Sequence, residues 1–198
     1  MAVFEAYVPN VEVNGQTVLA VVNGMQAKDY ALKILSENDI VDPQPEEWYL
    51  QQNWLNAFKA LSEQIGPYAL NAIGKSIPDS AKWPPQIDSI ESALASIDVA
   101  YHMNHRIDGE TLFNPLTGEM KEGIGHYEFK KMEDRLIHVI CANPYPCAFD
   151  EGIIYQTAFK FKPADMKQVY VKHLDKKDYC RETGYKLCTY SVTWYDRN

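Results

Sequence analysis

The sequence predicts one α+β domain, a largely antiparallel sheet with helices packed on one of its faces. Three observations carry this reading. An Asn-Gly turn signal sits between two β-prone runs near the N-terminus, and helical apolar spacing dominates residues 27 to 105. The second half shows alternating or β-branched runs, interrupted by a single helix.

Taken in order, Val3 to Val22 read as a hairpin. Glu5-Ala-Tyr7-Val8 and Gln16-Thr-Val18-Leu-Ala-Val-Val22 are its strands, Asn14-Gly15 is its turn, and Asn23-Gly24 ends it. From Ala27 the period changes: Tyr30, Ala31, Ile34 and Leu35 share a helical face that stops near Asn38. Asp42-Pro-Gln-Pro45 makes a rigid connection. Trp48, Leu50, Trp54, Leu55, Phe58 and Leu61 recur at helical intervals until Gly66-Pro67 breaks the run, and a shorter helix follows from Tyr68 to Ile73. Prolines make Ile77 to Pro85 a loop, and a long helix follows from Ile87 to about His105. Strands are expected at Gly123–Phe129, Leu136–Cys141, Gln168–His173 and Leu187–Trp194, with the embedded helix from about Phe149 to Phe159. With no repeat and no linker, residues 1–198 form one unit, a hairpin-and-helix part (1–106) followed by a strand-rich, cysteine-bearing part (107–198).

Hydrophobic residues are 46% of the chain, enough for a sizeable core. No apolar run approaches the ~20 residues needed to cross a bilayer. The Met1-Ala-Val-Phe start lacks the charged and apolar regions of a secretory signal, so a cytoplasmic location is expected. A net charge of −8 excludes a generally basic nucleic-acid-binding domain.

The segment Cys180-Arg-Glu-Thr-Gly184-Tyr-Lys-Leu-Cys188 places two thiols on either side of a glycine turn. Zinc requires thiolates and imidazoles closing a tetrahedron, and Cys147 and His173 would complete a Cys3His set. Buried structural thiols and a Cys180–Cys188 disulfide are the plainer alternatives. Cys141 reads as a core thiol on a strand.

Cys147 followed by Gly152 at a helix start, then Cys180, Gly184 and Cys188, then Tyr190, Val192 and Trp194 on the last strand, together resemble the 4-vinyl-reductase-type sensor domain of phenol-responsive activators. That family is similar in fold to TRAPP-complex subunits and to heme nitric-oxide-binding domains. The resemblance covers roughly Gly123 to Trp194 and matches the helical first half only in outline. It implies a structural zinc held by Cys147, Cys180 and Cys188. The family's acidic fourth ligand is missing, because Lys177 stands three before Cys180, which leaves His173 as the substitute and Asp178 as runner-up. The resemblance implies a stand-alone small-molecule-binding sensory or regulatory domain and no enzyme. An aromatic or other hydrophobic small molecule is its expected ligand. With the chain ending at Asn198, it would signal through a homodimer or a separate partner. A heme-based NO or O2 sensor is the alternative, and a pigment-precursor reductase a further one.

His102 and His105, three apart at the end of the long helix, suit either helix C-terminal capping or ligation, and His102 is the heme-ligand candidate. The Tyr-x-Ser-x-Arg element with which heme nitric-oxide sensors clamp propionates is absent. Trp48, Trp54, Phe58 and Tyr101 are core or ligand pocket, since both bury the same side chains.

Overall fold

A computed structural model describes residues 3–174 and 176–196. The two ends used above, Met1-Ala2 and Arg197-Asn198, lie outside the described residues. The elements run β1 (Val11–Asn14), α1 (Gly15–Gly24), α2 (Lys28–Ser36), β2 (Trp48–Leu50), α3 (Gln51–Ser80), α4 (Ile90–Met103), β3 (His105–Ile107), β4 (Glu110–Thr111), β5 (His126–Glu133), β6 (Leu136–Ala142), α5 (Cys147–Lys160), β7 (Gln168–Leu174) and β8 (Cys188–Tyr195).

Two antiparallel sheets result, β2-β1-β3-β4 and β5-β6-β8-β7. In the larger sheet β6 and β8 alternate between buried residues and half-buried ones, with only the last, Tyr195, exposed, so one face meets the helices. Ser89 opens α4 with a reciprocal bond to Ser92, a capping box that fixes the start of the helix.

The N-terminal hairpin does not form. Asn14 serves as the N-cap of α1, accepting from the Thr17 amide at 2.9 Å, instead of leading a turn. Gly15 lies so close to the chain that an added Cβ would sit 1.8 Å from the Gln44 carbonyl oxygen. The β-branched run that follows is helical because Val18, Val21 and Val22 are buried in the core, and tertiary burial overrides local propensity. Residues 48–50 also depart from the expected helix and form the short strand β2 beside β1. The break at Gly66 holds: its φ of 71° interrupts α3, which resumes through Pro67 and runs to Ser80, seven residues beyond Ile73.

Candidate functional site

Two strands, a 3-10 turn and one helix start converge on the cysteines. Cys147 opens α5 and Cys188 opens β8, while Cys180 precedes a 3-10 turn (Arg181–Thr183) closed by Gly184 at φ 92°. His173 sits on β7 opposite Tyr190 of β8 and stacks on its ring at 4.6 Å. The Sγ atoms of Cys147 and Cys180 lie 3.4 Å apart, those of Cys147 and Cys188 3.4 Å, and those of Cys180 and Cys188 3.9 Å. These separations are far above the ~2.05 Å of a disulfide, and all four cysteines are free. One donor atom from each of Cys147, His173, Cys180 and Cys188 lies within 4.8 Å of the others. Asp178, the runner-up, is exposed and stands outside this group.

The surroundings favour thiolate at Cys188 alone: the hydrogen bond to Cys188 and burial push the Cys147 thiol up, and burial raises Cys180. Cys188 is held well below the usual thiol range, chiefly by the Cys147 S–H, against the opposing effect of burial; the Arg181 backbone N–H also donates to it at 3.3 Å. Cys147 lies at the positive end of α5. Both ring nitrogens of His173 are buried and have no hydrogen-bond partner. Such an arrangement costs about 1–3 kcal/mol per group unless something else meets them.

Behind this corner lies a buried polar chain. Arg181, 2% exposed, donates through Nε to Cys188 Sγ at 3.5 Å and through its terminal nitrogens to Asp150 and Asn143. Asp150, fully buried, accepts from the Tyr127 hydroxyl at 2.6 Å. Burial raises its carboxyl above the usual range, while Arg181 and Tyr127 pull it back down.

Tyr127 is also a wall of a cavity of about 110 Å³, framed by Trp54, Ile97, Tyr101, Tyr145, Phe149, Ile153 and Thr157 among others. Of the aromatic set expected to be core or pocket, Trp54 and Tyr101 line this cavity. Phe58 is core, stacked on Trp54 at 5.1 Å and edge-on to Phe149 at 5.0 Å. Trp48 lies elsewhere, on β2 under the Arg106 guanidinium. The indole N–H of Trp54 and the hydroxyl of Thr157 are buried without a partner.

The two helix-end histidines part company. His105 faces the cavity, with Nδ1 on the Tyr101 carbonyl at 2.7 Å and Nε2 on the Tyr145 hydroxyl at 3.2 Å. Burial lowers its pKa to about 4. His102 is fully buried and does not line the cavity; its Nδ1 meets the Asp98 carbonyl at 2.8 Å and its Nε2 has no partner. Sequence reasoning missed the Arg181–Asp150 pair, because thirty residues separate its members and each alone reads as a surface charge.

No family model matches the chain, and no curated protein matches it either. Solved structures do. An H-NOX protein from S. oneidensis in its Fe(II)NO state superposes with a TM-score of 0.61 at 14% identity, covering 92% of this chain and 99% of the other. An oxygen-binding H-NOX domain related to soluble guanylate cyclases gives 0.60 at 15% identity, covering 93% and 97%. A structure described as probing heme distortion in the H-NOX family gives 0.60 at 15%, covering 93% and 100%. Over nearly its whole described length, then, this chain has the fold of H-NOX domains.

Proposed function

We propose that the chain is a small-molecule-binding sensor domain, in which the aromatic cavity receives the ligand and a divalent ion at the cysteine corner braces its wall. The observation that carries the reading is the cavity itself, lined by aromatic and aliphatic side chains, with two residues on its lining, Trp54 and Thr157, whose Nε1 and Oγ1 are buried without a partner. A void of about 110 Å³ suits a molecule no larger than a single aromatic ring, given that an engineered apolar cavity of about 150 Å³ binds benzene. Trp54 would donate to an oxygen on the ligand, which favours a phenol-like or carbonyl-bearing molecule.

Zinc is the ion the donor set suits. A tetrahedral site with Zn–S bonds of about 2.3 Å has sulfur–sulfur edges of about 3.8 Å, close to the 3.4, 3.4 and 3.9 Å observed. His173, with both nitrogens unpartnered, supports it as fourth ligand. Cys147, His173, Cys180 and Cys188 would leave no position for activated water, so the ion's part is structural. The resemblance of the cysteine pattern to that of 4-vinyl-reductase-type sensors agrees with the same reading.

Heme is the second reading, and of the two cofactors it is the one the structural neighbours favour. This chain's own packing does not fit it. The cavity is well below the ~300–1,000 Å³ of sites for drug-sized ligands, the α4 residues on its lining are Ile97, Ala100 and Tyr101, with Asn104 just past the helix end, and His105 has both nitrogens engaged. No step is therefore derived through heme.

The test is thermal denaturation of the purified protein with phenol and with toluene, alongside an absorption spectrum after expression with heme supplied. A rise in Tm with phenol that exceeds the rise with toluene, abolished by the cavity-filling variant Ile153→Phe, is expected, with no Soret band. No shift with any single-ring compound overturns the cavity reading. A Soret band lost in His102→Ala installs the heme reading in its place.

A further inference from the structure

Asp98 and His102 are four residues apart on α4 and therefore share a face of that helix. Strand β5 begins against that face, bringing in His126. The two imidazoles lie 5.0 Å apart, and the Asp98 carboxylate stands 2.9 Å from His126 Nδ1 and 3.5 Å from His102 Nδ1. Donor atoms of all three residues fall within 4.8 Å of one another.

Each of the three is already held from behind. Asp98 Oδ1 accepts from the Tyr127 amide at 2.9 Å, His102 Nδ1 donates to the Asp98 carbonyl, and His126 Nε2 faces Glu122 at 3.0 Å. Imidazole ligands are typically oriented in this way, the second nitrogen donating to a carbonyl or a carboxylate. Asp98 Oδ2 and His126 Nδ1 share a hydrogen bond of 2.9 Å, which an ion between them would replace, and His102 Nε2 is fully buried and unpartnered. A hollow of about 380 Å³ between α4 and β5, lined by Asp98, His126, Tyr127 and Phe129, opens two of the three residues to the outside, while His102 lies buried behind them.

We propose that Asp98, His102 and His126 form a second metal site, for a divalent transition-metal ion of the cobalt, nickel or zinc kind. Two imidazoles and one carboxylate suit such ions, and three protein ligands leave a position open towards the hollow. In this it differs from the cysteine corner, whose four ligands close their tetrahedron. The two sites share no residue, and this one does not depend on the cysteines binding anything.

Cobalt(II) titration of the chelator-treated, reduced full chain tests the proposal. Cobalt on thiolates gives intense near-ultraviolet charge-transfer absorption, whereas cobalt on nitrogen and oxygen gives only weak visible bands. The wild type should show a nitrogen- and oxygen-type equivalent that persists in Cys188→Ser. His126→Gln and Asp98→Asn, both at partly exposed positions, should each remove that equivalent and leave any charge-transfer band unchanged. The proposal is overturned if the wild type takes up no cobalt beyond the thiolate-linked equivalent, or if both variants bind as the wild type does. A thiolate site that fails while this equivalent survives would refute only the cysteine reading.

Discussion

At the scale of single residues, the cysteine corner joins two buried charges and three sulfurs within a few ångströms. Metal binding to such a set is folding free energy, because the unfolded chain offers no preformed site. Cys180→Ser and Cys188→Ser should each remove about one zinc per chain, measured by metal analysis, and lower stability by about 3 kcal/mol or more. Unchanged melting would leave only buried thiols. Asp150→Asn should cost about 3–5 kcal/mol in denaturant unfolding, since it strands the Arg181 guanidinium in the interior. His105 sets an acid limit. Its folded pKa of about 4 lies below the unfolded value of about 6.5, so the unfolded chain binds the proton first as pH falls. Stability should therefore decline from about pH 6.5 down to about pH 4, by about 3 kcal/mol in all, and His105→Gln should flatten that part of the profile. An unaltered slope in the variant would show that other groups control it.

At the scale of elements, the decisive contact is between α3 and α5. Gly74 and Gly152 face each other there. An added Cβ on Gly152 would come within 2.2 Å of the Asn71 carbonyl oxygen, and one on Gly74 within 2.2 Å of the Phe149 carbonyl oxygen. The helices touch backbone to backbone, so Gly152→Ala should destabilise by about 3 kcal/mol in urea denaturation; a loss below about 0.5 kcal/mol would mean the helices can part freely. The elements of the second half were readable from sequence because alternation and burial agree along β6 and β8. The N-terminus was not readable, because Asn14-Gly15 carries two meanings: the pair suits a hairpin turn and a helix cap equally, and only the approach of Gln44 decides. The clustering of Cys147, His173, Cys180 and Cys188 was legible because sulfur and imidazole are scarce residue types. The Asp98–His126 pairing was not, because it depends on how β5 docks against α4.

At the scale of the whole molecule, cavity and cysteine corner are joined by a continuous chain of polar contacts: Tyr127 to Asp150, Asp150 to Arg181, Arg181 to Cys188. Contiguity alone does not establish coupling, which is a free energy measured reciprocally between two sites. Tyr127→Phe removes the first hydroxyl while keeping the ring on the cavity. In the wild type, phenol should shift the zinc affinity by a measurable factor, and in Tyr127→Phe that factor should fall towards one. Equal factors in both proteins would show that the chain of contacts is structural and carries no signal.

The placement of Cys147 has a mechanical corollary. It is the first residue of the helix whose third, Phe149, forms part of the cavity wall, and the helix is wedged against its neighbour with no slack between two glycines. A guest that presses Phe149 outward has little room to tilt the rod at its middle, so the displacement should surface at the tip, where the Cys147 sulfur would hold the proposed ion. Occupancy of an oily hole would then be read out as tension on a thiolate bond.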